Sequence, residues 1–135
     1  MEQAKIQAFG DELYEALVNR EAVPPLTSRA DDITIEDAYH ISLRMLERRQ
    51  QAGARIIGKK IGVTSKAVMN MLNVHQPDFG YLTDDMVFNS GEEVNISDRL
   101  IAPLAEGEIA FILKKDLTGP GVTNADVLAA TECVM

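Results

Sequence analysis

The feature that most restricts the fold is an apolar run with two glutamates at its start, residues 101–113, which reads IAPLAEGEIAFIL. Side chains alternate between the faces of a strand, so Glu106 and Glu108 are predicted to point the same way, while Gly107 leaves the other face bare. At roughly 7 Å separation and an effective dielectric of about 20, their repulsion is on the order of 2 kcal/mol. Water, a proton or a cation must offset it.

The same run predicts a sheet that the sequence only begins. A strand as apolar as residues 109–113 needs cover on both faces and neighbours on both edges, and the remaining segments offer few candidates. Oxygen ligands with this period-two spacing suit Mg²⁺ or Mn²⁺ better than soft metals. The motif alone is weak, because most such pairs are solvated strand faces, although Ala110 and Ile112 continue the glutamate face inward.

Helical periodicity, capping residues and glycine or proline breaks predict four helices. The apolar stripe of the first helix is Ile6, Phe9, Leu13 and Leu17. The second helix starts at a Thr34–Asp37 capping box and ends at Gly53; its apolar stripe is Ala38, Ile41, Met45 and Leu46, and residues 47–51 (ERRQQ) are its solvated side. The third helix is Ser65 to Leu72, and the last starts at Thr123 with Asp126 and runs through Thr131.

The remaining segments are predicted as strands and loops. They are an extended loop over residues 21–32, a strand over residues 54–62 (ARIIGKKIG), a loop over residues 75–83 (HQPDFGYLT) whose aromatic residues could line a pocket, strand-like pieces at residues 86–88 and 93–96, and the glutamate strand, which closes at the turn of residues 119–121.

Four further residues could take part in chemistry. Alternation places Lys59 and Lys60 on opposite faces of their strand, so one of them could face inward and transfer protons; the alternative is that both are surface lysines on an edge strand. Asp78 follows a proline, where aspartate is common as a turn former. The sequence likewise does not decide whether His75 is a plain loop residue or takes part in chemistry. No known nucleophile, phosphate-loop or dinucleotide motif is present.

Composition limits the kind of protein. The 135 residues are 46% hydrophobic and 25% charged, which predicts one globular domain over residues 1–135. A net charge of −8 argues against a nucleic-acid partner. Cys133 has no cysteine partner, the N-terminal residues resemble no signal peptide, and no apolar run reaches the ~20 residues of a membrane helix, so we expect a cytoplasmic protein without a membrane span.

Four ordered stretches, GKKIGVTSKAV, NVHQPDFGYLTDDM, LIAPLAEGEIAFILKKDL and GPGVTNADVLAATECV, together closely resemble the 2-hydroxypenta-2,4-dienoate (2-oxopent-4-enoate) hydratases of aromatic meta-cleavage pathways. These enzymes group with the 4-oxalocrotonate decarboxylases in the fumarylacetoacetate hydrolase superfamily. The resemblance covers nearly the whole chain.

The resemblance implies a metal-dependent hydro-lyase. Glu106 and Glu108 would be two of three carboxylate ligands to Mg²⁺ or Mn²⁺, Lys60 the acid–base group and Asp78 a further pocket residue. It also implies an α+β fold, with N-terminal helices packed on a distorted mixed β-sandwich or barrel. The product would be 4-hydroxy-2-oxopentanoate.

Two departures from the family pattern accompany the resemblance. Leu104 stands where a basic residue is usual, and the family continues beyond Met135 with the third glutamate and a second half. We therefore expect an N-terminal portion that is inactive alone, forms homo-oligomers and, in a complete protein, associates with the decarboxylase. The alternatives are a 4-oxalocrotonate decarboxylase and a non-catalytic fragment or partner subunit of the hydratase–decarboxylase complex.

Overall fold

The computed structural model describes residues 1–135 and contains four α-helices and four short strands. In chain order they are α1 (Gln3–Asn19), α2 (Ile35–Gln51), β1 (Ile56–Gly62), α3 (Lys66–Leu72), β2 (Asp78–Thr83), β3 (Phe111–Leu113), α4 (Asn124–Ala130) and β4 (Thr131–Val134), with 3₁₀ turns at Leu26–Ser28 and Asp84–Met86. No helix combines the length and the apolar character that crossing a membrane requires.

Residues Met1–Ala102 form one compact unit, and α1 and α2 are its centre. Their apolar faces bury Ile6, Phe9 and Ile41 together with Ala30 from the connecting loop. Gly10 permits the close approach of the helices, because a Cβ at this position would lie 2.5 Å from side-chain atoms of Arg44. The predicted first and second helices are thus confirmed, and the loop between them contains a 3₁₀ turn instead of being wholly extended.

The N-terminal caps follow the sequence prediction closely. Thr34 and Asp37 form a reciprocal capping box on α2, and Thr123 and Asp126 form one on α4. Ser65 accepts a hydrogen bond from the backbone of Val68 and caps α3. Side-chain oxygens at these positions satisfy amide groups that the first helical turn leaves without a partner.

The strand predicted around residues 54–62 is confirmed as β1, which pairs antiparallel with β2. The loop predicted over residues 75–83 is wrong in its second part, because Asp78–Thr83 is the partner strand. The strands predicted at residues 86–88 and 93–96 are also wrong, since neither segment is in a strand. A strand forms only where another backbone pairs with it, and the partner of β1 is supplied by residues 78–83.

Arg49 corrects the predicted solvated face of α2. Its side chain is buried and donates to the Thr83 hydroxyl at 2.7 Å and to the Asp85 carboxylate at 2.7 and 2.9 Å. The ion pair therefore joins the C-terminal part of α2 to the end of β2. The periodic pattern of polar residues alone could not distinguish this arginine from its exposed neighbours.

Residues Pro103–Met135 form the second unit, in which β3 pairs antiparallel with β4. The long glutamate strand is shorter than predicted, because Glu106 and Glu108 lie before β3 in a segment that is neither helix nor strand. The register explains this: Ala110 exchanges backbone hydrogen bonds with Met135, so the residues before Ala110 have no residue of β4 opposite them. Helix α4 ends at Ala130, and Thr131, predicted as helical, begins β4.

The α+β class predicted from the sequence is confirmed at this coarse level. Its sheets are two separate two-stranded antiparallel ladders, β1–β2 and β3–β4.

Candidate functional site

The β1–β2 ladder brings together two residues that the sequence singled out. Lys60 lies opposite Gly80, and Asp78 lies opposite Gly62. Directly opposed residues of an antiparallel pair project from the same face, so Lys60 and Asp78 share one face as diagonal neighbours. Such neighbours lie roughly 7–8 Å apart, within the reach of a lysine side chain.

This face, which we call the glycine face, carries few side chains. Besides Lys60 and Asp78 it presents Leu82 and the three glycines 58, 62 and 80. A Cβ at Gly80 would meet no atom within 4 Å, so the backbone is open there to a molecule that approaches it. Lys60 is half-buried, whereas Lys59 is exposed on the other face, which confirms the predicted division of the two lysines.

The opposite face of the ladder is aromatic and packs against α2. The Phe79 ring stacks on Tyr39 with centroids 5.0 Å apart and meets Tyr81 edge-on at 5.9 Å. The Lys59 ammonium lies 5.5 Å from the Tyr81 ring centroid, within the range of a cation–π interaction. Of these contacts, the stacking of Phe79 on Tyr39 joins this face of the ladder to α2.

Glu106 and Glu108 are exposed and belong to the second unit. Their oxygen donors suit a hard divalent cation. Within residues 1–135, however, no three His, Cys, Asp or Glu side chains are grouped so that they could hold a metal ion. The donor chemistry of Glu106 and Glu108 thus fits a divalent cation, and the ligand set of three carboxylates stays a prediction.

A second concave region lies in the first unit, between the C-terminal ends of α1 and α2 and residues 84–100. This groove has a volume of about 750 Å³ and includes Tyr14, Arg49, Asp84 and Arg99 in its lining. The backbone amide and guanidinium of Arg55 donate to Asp84, and these hydrogen bonds lower the pKa of that carboxyl. Neither Lys60 nor Asp78 lines the groove.

Sequence reasoning placed Lys60 and Asp78 in one pocket only through the resemblance, and it missed the strand pairing that puts them on one face. The signal was present in two alternating patterns: Gly58, Lys60 and Gly62 occupy even positions of one segment, and Phe79, Tyr81 and Thr83 occupy odd positions of the other. Once these segments are paired, both patterns place glycine and charge on one side and aromatic rings on the other.

The comparisons with known proteins confirm the resemblance to the hydratases that was inferred from the sequence. No family model matches the chain. A "2-hydroxypent-2,4-dienoate hydratase" of Pseudomonas putida is 76% identical over all 135 residues, which are 61% of that relative's length. A "2-hydroxyhexa-2,4-dienoate hydratase" of Comamonas testosteroni is 61% identical over 130 residues, 96% of this chain and 49% of the relative.

A solved structure of 4-oxalocrotonate decarboxylase from Pseudomonas putida G7, complexed with magnesium and adipate, matches with a TM-score of 0.91 and 31% identity. The match covers 99% of this chain and 51% of that one. A second structure of the decarboxylase, complexed with calcium and acetate, matches equally well. The chain thus spans between about half and three fifths of the length of the relatives named here.

Proposed function

We propose that the chain provides part of the active site of a metal-dependent hydratase that converts 2-hydroxypenta-2,4-dienoate to 4-hydroxy-2-oxopentanoate in the meta-cleavage degradation of aromatic compounds. The observation that carries the proposal is the shared face of Lys60 and Asp78 in a chain that is 76% identical to a 2-hydroxypent-2,4-dienoate hydratase. In this proposal Lys60 and Asp78 handle protons, and Glu106 and Glu108 bind the cation.

The reaction needs two proton movements that a lysine–aspartate pair can serve. Loss of the 2-hydroxyl proton with protonation at C5 converts the dienol to a 2-oxo-3-enoate, in which C4 is electrophilic. Addition of water at C4 with protonation at C3 then gives the product. Lys60 transfers these protons, with Asp78 or a water as a second carrier. The open backbone at Gly80 leaves room for the substrate beside both groups.

Glu106 and Glu108 would hold Mg²⁺ or Mn²⁺ through their carboxylate oxygens. When bound, the cation supplies Lewis acidity and positive charge toward the substrate's carboxylate and 2-oxygen. That charge is needed because the chain itself carries a net charge of −8, which opposes an anionic substrate. Support for a divalent cation comes from the magnesium and calcium in the structures of the decarboxylase.

Hydration is favoured over decarboxylation by the degree of similarity. The two hydratases are 76% and 61% identical to the chain, against 34% for a 4-oxalocrotonate decarboxylase of Pseudomonas sp. CF600. Decarboxylation remains the second candidate, because the structural match is to a 4-oxalocrotonate decarboxylase. The third candidate is a non-catalytic partner subunit.

The proposal extends to the architecture and partners of the complete protein. Both units would belong to one hydratase-like domain whose strands form part of a distorted β-sandwich or barrel. The complete protein would form homo-oligomers and associate with a 4-oxalocrotonate decarboxylase. The presence of a 4-oxalocrotonate decarboxylase among the relatives is consistent with such a partnership.

The choice between the two reactions can be tested on an extended chain, which we define as residues 1–135 followed by the part of the Pseudomonas putida hydratase outside the aligned region. With Mg²⁺ present, we expect loss of the dienoate absorbance with formation of 4-hydroxy-2-oxopentanoate, and no CO₂ release from 4-oxalocrotonate. A folded extended chain that releases CO₂ and does not hydrate the dienoate would favour the decarboxylase.

A further inference from the structure

We propose that Gly62 is a positioning residue for Asp78, an inference that rests on the proposed function. A Cβ at position 62 would collide with Oδ1 of Asp78, at a separation that real Cβ atoms essentially never show. The carboxylate therefore lies over the backbone of β1, in space that is available only because residue 62 has no side chain. Its location there keeps the carboxylate on the glycine face beside Lys60.

The three glycines of this face differ in what a methyl group would meet. At Gly58 a Cβ would make ordinary contact with Leu82 at 3.8 Å, and at Gly80 it would meet nothing within 4 Å. Only Gly62 has a polar side chain in the place of the missing Cβ. None of the three has the positive φ that would require glycine, so the reason for glycine at position 62 is contact with Asp78.

The residue that follows shows that the backbone is constrained at this point. Val63 has φ +53°, in the left-handed region that β-branched residues rarely adopt. Strain of this kind persists only where the surrounding structure holds it, and it is concentrated at functional sites. Here it turns the chain out of β1 immediately after Gly62 and into the Ser65 cap of α3.

Gly62→Ala should displace the Asp78 carboxylate without unfolding the protein, because the colliding atom is at the end of a side chain that can rotate. Gly58→Ala is the matched control, since it adds the same methyl group to the same face of the same ladder, where the methyl would make only ordinary contact with Leu82. In the extended chain, we expect the ¹³Cγ resonance of Asp78 to shift in Gly62→Ala and to stay unchanged in Gly58→Ala. An unchanged resonance in both variants would overturn the inference.

Kinetics of the extended chain test the consequence. We expect Gly62→Ala to lower kcat about tenfold with KM changed less than about twofold, and Gly58→Ala to change neither by more than about twofold. In an Asp78→Ala background, Gly62→Ala should have no further effect. Retention of kcat by Gly62→Ala, or the same loss in the Asp78→Ala background, would contradict positioning through Asp78. If no extended chain hydrates the dienoate, the proposed function fails, and the resonance of Asp78 alone decides the role of Gly62.

Discussion

Replacing Lys60 or Glu106 by alanine in the extended chain should affect different properties, the rate of hydration for Lys60 and the affinity for Mg²⁺ for Glu106. Lys60→Ala should lower kcat for hydration by about 10²-fold or more, since it removes a proton carrier, and should leave Mg²⁺ affinity nearly intact. Glu106→Ala should weaken Mg²⁺ binding first, because it removes a ligand oxygen and a negative charge. Calorimetric titration gives the affinities, and an equal loss of metal in both variants would show that the roles are misassigned.

Asp37 should make the stability of the chain depend on acid. Hydrogen bonds from the Thr34 backbone and hydroxyl lower its pKa from 3.8 to about 2. Because the folded-state pKa is the lower one, this stabilisation is fully present above pH 4 and is lost as the pH falls from 3.8 to about 2. Asp37→Asn should therefore lower Tm at pH 7, and the difference from the unsubstituted chain should shrink toward pH 2.

Glu36→Asn is the control for that measurement, because Glu36 lies in the same first turn of α2 but outside the capping box. We expect its effect on Tm at pH 7 to be smaller than that of Asp37→Asn. Equal effects of the two substitutions, or a difference between Asp37→Asn and the unsubstituted chain that persists at pH 2, would show that the capping carboxylate is not the acid-sensitive group.

Between elements, the ion pair of Arg49 with Asp85 should matter more than an exposed pair of similar geometry. The Arg49 side chain is 10% exposed and lies 2.7 Å from Asp85, whereas Arg55 is 83% exposed and lies 2.9 Å from Asp84. Arg49→Ala removes a buried donor, so the Thr83 hydroxyl loses its hydrogen bond from the guanidinium. The free energy of unfolding should fall by about 2 kcal/mol. Arg55→Ala should lower the free energy of unfolding by less than about 1 kcal/mol. Urea unfolding of both variants measures the difference, and equal costs would contradict the anchoring role of Arg49.

The elements that could be predicted are those determined by nearby residues. Helix α2 begins at Thr34 because the capping box lies within four residues of sequence, and β1 is recognisable from its own β-branched residues. Strands β2 and β4 could not be predicted, since each exists through pairing with a distant segment. For the same reason the sequence indicated Lys60 and Asp78 separately, and only the register of β1 on β2 placed them on one face.

At the scale of the whole molecule, the second unit exposes too much apolar surface for a stable monomer. Between Pro103 and Met135 only Ala130 is buried, while Leu104, Ile109 and Leu128 are 92%, 73% and 72% exposed. Exposed apolar surface of this extent favours association. Light scattering should therefore find the 135-residue chain in oligomers or aggregates, and Ile109→Lys with Leu128→Lys should reduce their size. A monodisperse monomer would contradict this expectation.

The most direct test is the rate of hydration of 2-hydroxypenta-2,4-dienoate by the extended chain and by the 135-residue chain, each measured with Mg²⁺ or Mn²⁺ and again after a chelator is added. We expect turnover by the extended chain that the chelator abolishes and added metal restores. We expect none by the 135-residue chain, whose two glutamates provide too few ligands for a rigid metal site. Failure of a folded, metal-loaded extended chain to hydrate the dienoate, or turnover at the same rate by the 135-residue chain, would contradict the proposed site.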